Sequence, residues 1–376
     1  MNRLRVCVAT GSRAEFGLLR PVMRAVQARP DLELSVVAMG AHLLEPAATW
    51  KEVEREFPIK AMVPMQRAGA ERGLPDRLED ALATGRGIAA LAGVYAELTP
   101  DWVVVLGDRI EAFAAASAAS IGGIGVAHLH GGDRAEGVAD EAMRHAITKL
   151  AHLHLAATEQ SAARIVRLGE RPEDVLVVGS PAIDGLRDLP MMSAREFDEL
   201  GAPEAIVLLH PIGRSDEDER RAAAATLQAV SGLRTLALAP NHDPGRNGVM
   251  AAIRDAGVRL LDHLERAQFV GLLRRLADRG GALVGNSSAG LIEAAALSPA
   301  VPVVNVGDRQ AGRERAGNVT DAPEDAGAIR EALRRAREAP RGAAAHPYGT
   351  GRTGERVASA LAAGGPGARL RKRCTH

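Results

Sequence analysis

Val103-Val104-Val105-Leu106 is a short, almost wholly β-branched apolar run that stops abruptly at Gly107-Asp108-Arg109. A run of this kind suits a strand buried on both faces of a parallel sheet. In such sheets ligands collect at the carboxyl ends of the strands, so Asp108 and Arg109 sit where a catalytic pair would be placed. The pattern recurs. Leu4 to Thr10 runs into Gly11-Ser12-Arg13-Ala14-Glu15-Phe16-Gly17 ahead of an amphipathic helix bearing Leu18, Leu19, Val22, Met23 and Val26, and Ile124 to Leu129 ends in His130-Gly131-Gly132-Asp133. Further strands are expected from Leu34 to Met39, from Ala61 to Pro64 at an edge, from Leu153 to Ala157 and from Val175 to Val178. Helices are expected around Trp50 to Glu56, Arg77 to Leu98 and Ser161 to Leu168, and the segment from Arg67 to Arg77 is expected to be a mobile loop.

A second series begins after a linker of mixed composition, Arg187 to Glu204. Ile206 to Leu209 enters His210-Pro211-Ile212-Gly213, Thr235 to Ala239 enters Pro240-Asn241-His242-Asp243, Ala282 to Val284 enters Gly285-Asn286-Ser287-Ser288-Ala289-Gly290, and Val301 to Val306 enters Gly307-Asp308-Arg309. Strand and helix alternate throughout, and 376 residues are too many for one ordinary core. The expected fold class is therefore α/β, with two lobes of parallel sheet and an interlobe cleft that clamps the ligand.

Composition excludes several functions. The 47 basic and 47 acidic side chains cancel, leaving no global field to attract nucleic acid or an anionic membrane. Five Phe, two Trp and two Tyr do not make a base-stacking platform. The two cysteines, Cys7 and Cys374, rule out a disulfide framework and a cysteine zinc site, and fit a reducing cytoplasm. The amino-terminal residues pass at once into a strand without the apolar region of a signal peptide, and no run approaches the ~18 apolar residues of a membrane span. A soluble, cytoplasmic protein is expected.

The candidate site is dense. Two neighbouring strand ends deliver Asp108, Arg109, His130, Asp133, Arg134, Glu136, Asp140, Glu141 and Arg144 into one region. Asp108 taken alone also reads as a helix N-cap, but clustering at strand ends rather than along helix faces favours a site. The first strand-to-helix turn is a generic anion cradle, in which Arg13 is either a surface cap or a phosphate ligand. It is not a dinucleotide fingerprint, so no nicotinamide cofactor is expected. Gly285 to Gly290 leads into Leu291, Ile292 and Glu293, where small hydroxyl residues at a helix start make a nest for a diphosphate or an ordinary serine cap. Glu293, one turn into that helix, either accepts two hydroxyls of a ribose or is a first-turn acid.

Together these stretches resemble the UDP-N-acetylglucosamine 2-epimerases, and within them the hydrolysing branch. The residues that carry the resemblance are Gly11 to Gly17, Gly107-Asp108-Arg109, His128 to Asp133, Asp140 to Leu150, Gly285 to Ser288, Val306 to Glu314 and His346-Pro347-Tyr348-Gly349. The resemblance covers the chain to about residue 362. It implies two Rossmann-like lobes of the GT-B type, divided as 1–186 with a returning helix at 350–363, and 200–345, followed by a disordered basic tail at 364–376. It also implies a homodimer or homotetramer, and chemistry that uses neither metal nor cofactor.

The implied reaction removes the C2 proton of a UDP-activated 2-acetamido sugar as UDP leaves C1. Addition of water to the resulting glucal then gives the manno sugar and UDP. Asp108 and Asp140 match acidic residues of proton transfer, and Arg13, Arg109, His210, Ser287, Ser288 and Arg309 match nucleotide and diphosphate contacts. Arg144 and Asn241 join that binding set, and Glu293 matches the acid on the ribose. Position 130 departs from the family pattern, with histidine where some members carry glutamate, so the second acid or base lies among His130, Asp133 and Glu136. Alternatives from other classes are a GT-B glycosyltransferase, a UDP-sugar-binding protein without turnover, and, within the family, an epimerase that retains UDP.

Overall fold

The structure is a computed structural model, and it describes residues 3–45, 48–66, 76–134, 141–241, 243–262, 264–339, 346–373 and 375. The chain divides into two compact units. The first holds the chain up to Asp133, from Glu141 to Asp184 and from Tyr348 onward, and the second holds Gly185 to Pro347 together with Arg134.

The first unit is built on seven parallel strands, β1 (Leu4–Thr10), β2 (Leu32–Met39), β3 (Ile59–Val63), β4 (Trp102–Leu106), β5 (Gly125–Leu129), β6 (Leu153–Ala156) and β7 (Val175–Val177). Their spatial order is β3-β2-β1-β4-β5-β6-β7. The chain winds outward one way from β1 and the other way from β4, so the topological switch point falls between these two strands. Every residue of β4 is buried, because alternate side chains serve two different cores. Trp102 and Val104 join Val6, Val8, Leu19, Val22 and Met23 on one face, whereas Val103 and Val105 join Cys7, Leu91, Ala115 and Ile147 on the other.

The helix Thr353–Ala362 lies in the first of these cores through Val357, Ala358 and Leu361. Its first amides, Thr353 N–H and Gly354 N–H, donate to the Asp184 carboxylate at 2.9 and 2.7 Å, which supplies a cap that its own N-terminal residue does not.

The second unit has six parallel strands, β8 (Ala205–Leu208), β9 (Thr235–Leu238), β10 (Arg259–Leu261), β11 (Ala282–Gly285), β12 (Val303–Val306) and β13 (Val319–Ala322), in the order β10-β9-β8-β11-β12-β13. Its switch point falls between β8 and β11. The helices Asp216–Ala229 and Arg246–Asp255 meet at Gly248, where an added Cβ would lie 1.9 Å from the Asp216 carbonyl oxygen. Backbone cannot yield that much locally. Gly248→Ala is therefore expected to cost about 3 kcal/mol in a urea melt, at the upper end of overpacking penalties, and a loss below about 0.5 kcal/mol would show that the two helices can separate freely.

Several expectations are corrected. The stretch read as a linker carries a 3-10 turn at Leu186–Asp188 and the helix Ala194–Glu199, fixed by a reciprocal capping box between Ser193 and Glu196. The tail read as disordered instead forms a 3-10 turn, Gly367–Leu370, because its basic residues find acidic partners on the first unit. The loop expected from Arg67 to Arg77 lies, up to residue 75, outside the described residues, and a helix already begins at Asp76.

Candidate active site

At the exit of β4 the chain turns through Gly107 into Asp108. His128 of β5 holds this turn, with its Nε2 at 2.8 Å from the Gly107 carbonyl oxygen, and burial pushes that imidazole down to about 3, so it is neutral. Neutral imidazole with Nε2–H donating leaves Nδ1 as the acceptor, and the Thr148 hydroxyl stands 3.3 Å from it.

Asp108 is ion-paired with Arg144, which lies one turn into the helix Glu141–Leu150. The Arg144 side chain is only 3% exposed, and its Nη1 donates to the Asp133 carbonyl at 2.8 Å and to Glu141 at 3.1 Å. A planar guanidinium spreads these bonds over two nitrogens, Nη1 to Asp133 and Glu141 and Nη2 to Asp108, a fork that a lysine's single nitrogen does not reproduce. The structure thus gives Arg144, expected among the substrate-binding residues, three partners within the protein.

Asp133 is buried. One carboxylate oxygen is 2.8 Å from His130 Nδ1, and the other accepts the Ser161 hydroxyl at 2.7 Å. His130 Nε2 in turn is 3.1 Å from the Ser180 hydroxyl, and His130 itself takes a left-handed φ of 61°. Asp108, His130, Asp133 and Arg144 thus form one connected network in the first unit. Glu136 and Asp140 lie outside the described residues.

Arg109 and Arg13 stand at the exits of β4 and β1, the two strands of the switch point. Each is already paired: Arg109 Nε with Glu111 at 3.2 Å, and Arg13 Nε with Glu52 at 3.1 Å. Glu111, 1% exposed, also accepts from the Ala41 amide at 3.3 Å and Gln66 at 3.4 Å, and so ties together the loops after β2, β3 and β4. Beside it Glu15 accepts the Gly11 amide at 2.6 Å, while burial, aided by the charge of Glu111, pushes its carboxyl up to about 8. Sequence reading missed both acids as site residues. The signal was present in Glu15, inside the first turn motif, and in Glu111, two positions beyond Arg109.

In the second unit the exits of β8 and β11 are joined by Asn286. Its side chain accepts the His210 amide at 2.7 Å and donates to the His210 carbonyl at 2.8 Å, the pairing of one strand edge with another. The Asn241 amide donates to His210 Nδ1 at 3.2 Å, which leaves Nε2 carrying the proton. Burial first, and Arg309 second, hold His210 down at about 3, so it presents a neutral N–H donor near neutral pH. Arg309 Nη1 and Gln310 Nε2 both donate to the Asn286 carbonyl, at 3.2 and 2.8 Å. Arg309 is an arginine whose own pKa is lowered by burial and by Arg313, which is the electrostatic condition for receiving an anion. Gln310 and Asn286 were not singled out from the sequence.

Ser287 is the N-cap of a helix that runs only from Ser288 to Leu291. A second short helix, Glu293–Ala296, follows a break at Ile292, whose carbonyl is taken at 2.8 Å from His346 Nε2 instead of serving the helix. The continuous helix expected after Gly290 is thereby corrected: Glu293 opens a new turn.

Each unit therefore gathers polar side chains at the carboxyl ends of its strands, at its switch point and on the neighbouring strands, where ligands of open parallel α/β sheets bind. The profile of the UDP-N-acetylglucosamine 2-epimerases matches residues 24–362, and the chain belongs to this family of enzymes. A UDP-N,N'-diacetylbacillosamine 2-epimerase (hydrolyzing) of Legionella pneumophila is 35% identical to it over 94% of each chain. A UDP-N-acetylglucosamine 2-epimerase of Neisseria meningitidis is 31% identical over 82% of this chain and 81% of its own. The crystal structure of the UDP-GlcNAc 2-epimerase from Neisseria meningitidis bound to UDP-GlcNAc shares the GT-B-like fold, with a TM-score of 0.78, 19% identity, and 96% of this chain and 100% of that one covered. Among the described residues no helix is long and apolar enough to cross a membrane.

Proposed function

We propose that this enzyme is a hydrolysing 2-epimerase of a UDP-activated 2-acetamido sugar. Asp108 takes part in moving the C2 proton, and electrons from the C2–H bond form the C1–C2 double bond as the C1–O bond to UDP breaks. UDP leaves with that bond's electron pair. Water then adds to C1 of the 2-acetamidoglucal, and C2 is protonated on the opposite face, giving the free manno sugar. His210, as a neutral N–H donor, and the guanidinium of Arg309 are assigned to the leaving diphosphate, whose developing charge needs donors of this kind.

The observation that carries the reading is Asp108 held at the exit of β4 by a buried arginine, in a chain 35% identical over 94% of its length to a hydrolysing relative. UDP-N-acetylglucosamine is the substrate the sequence motifs favour. The substrate for which the Legionella relative is named supports UDP-N,N'-diacetylbacillosamine as a second reading. Both carry an acetamido group at C2, and the same proton chemistry serves either.

Incubating the enzyme with each sugar nucleotide in D2O, followed by proton and phosphorus NMR, tests the proposal. Free UDP is expected to accumulate in step with a reducing sugar deuterated at C2. A UDP-linked epimer with no free UDP would sink the hydrolytic outcome, and no exchange at C2 with either substrate would sink the epimerase reading.

A further inference from the structure

Residues 364–372 of the first unit run along its sheet and end against the helix that carries Arg144. The Gly364 carbonyl accepts Trp102 Nε1–H at 3.2 Å. Pro366 covers Gly125, where an added Cβ would lie 2.7 Å from the proline Cβ, so the start of β5 is shaped to receive it. Arg369 Nε then pairs with Asp174 at 2.7 Å. Finally the Lys372 ammonium reaches the last turn of the helix Glu141–Leu150, donating to the Lys149 carbonyl at 2.8 Å, to the Ala151 carbonyl and to the Glu170 carboxylate at 2.7 Å.

Its three donors are shared among these acceptors and the Thr148 carbonyl at 3.4 Å, which satisfies the ammonium group. The carbonyls of a last helical turn have no intrahelical partners, and a cation there also opposes the negative end of the helix dipole. Glu170 is 4% exposed and is shared with Lys149 at 2.6 Å and His154 at 3.1 Å. Although burial works against ionisation, hydrogen bonds from His154, Lys149 and Lys372 hold Glu170 down at about 2, so the anchor stays charged across the working pH range.

From this geometry we infer that the C-terminal segment is part of the catalytic apparatus, with Lys372 acting as a positioning residue: by capping the far end of the Glu141–Leu150 helix it fixes the helix whose near end holds Asp108 through Arg144. Ten residues of helix are a rigid rod of about 15 Å, and freedom at one end becomes displacement at the other. Misplacing a reacting group by about 1 Å can cost on the order of 100-fold in rate. The inference rests on the proton-transfer reading of Asp108.

Lys372→Met, made in the full chain, tests it, with UDP release from the sugar nucleotide that the enzyme turns over, calorimetric UDP binding and thermal unfolding measured side by side. The expected result is a fall in kcat of at least about 10-fold with UDP affinity and KM changed less than about twofold, and with the protein folded at the assay temperature. Lys372→Arg is expected to recover most of the rate. Lys372→Gln, which keeps two N–H donors without the charge, is expected to fall between and serves if the methionine variant does not fold. In an Asp108→Asn background Lys372→Met is expected to add almost nothing, since both act through one carboxylate. Unchanged kcat, a kcat loss that only tracks lost folding and UDP binding, or full additivity with Asp108→Asn overturns the inference. The reading on which it rests fails by a different sign, namely retained turnover in Asp108→Asn alone.

Discussion

Asp108→Asn is expected to lower turnover by at least ~100-fold while UDP binding in calorimetry stays within about twofold, the pattern of lost acid or base catalysis rather than lost binding. Asparagine has nearly the same shape as aspartate and still offers one carbonyl oxygen to Arg144, so the exit of β4 should keep its form. What disappears is the capacity to take up and return a proton. The nucleotide contacts assigned to His210 and Arg309 belong to the other unit and are untouched. Turnover within about threefold of the unsubstituted enzyme would move proton transfer elsewhere, toward Asp133 or Asp140. Of these, Asp133 already has both carboxylate oxygens occupied, by His130 and Ser161.

How much of this was legible from residues alone depends on where each signal resides. Strand β4 stands out because both its faces are buried, which makes every position apolar, and β11 and most of β1 and β5 follow the same logic. Strands β10 and β13 escaped notice. They are the two edges of their sheet, and Arg259 with two half-buried leucines, or Val319-Thr320-Asp321 ahead of one buried alanine, carries no such run. The candidate site was legible as a density of ionisable residues at strand ends, and its motifs pointed to the right family. The division of labour inside it was not. Arg144 looks in sequence like any arginine able to meet a phosphate, and only the fold brings it to Asp108, 36 positions earlier. The basic tail misled for the same reason. Its composition resembles a solvated end, whereas Lys372 meets Glu170 and carbonyls more than 200 positions away, partners that local pattern cannot supply.

Arg144→Met carries the other large effect, because it withdraws one buried cation from three acceptors at once. Removing one member of a buried ion pair costs roughly 3–5 kcal/mol. Here the side chains of Asp108 and Glu141 are 24% and 27% exposed and water can solvate them in part, so a loss of about 2–3 kcal/mol in a urea melt is expected. The Asp133 carbonyl has no such recourse, since Asp133 is buried.

Turnover should fall further than stability suggests, by roughly 1000-fold, since Asp108 loses the partner that fixes its orientation at the exit of β4. Arg144→Lys separates the two effects. A lysine restores a charge but donates from one nitrogen, whereas Arg144 reaches Asp133 and Glu141 from Nη1 and Asp108 from Nη2, so the geometry is not reproduced and stability should recover more than rate. Denaturant melts alongside steady-state kinetics on both variants decide the matter. If Arg144→Met keeps turnover within about tenfold of the unsubstituted enzyme, Asp108 does not depend on the clamp, and the coupling argued from Lys372 through this helix loses its intermediate step.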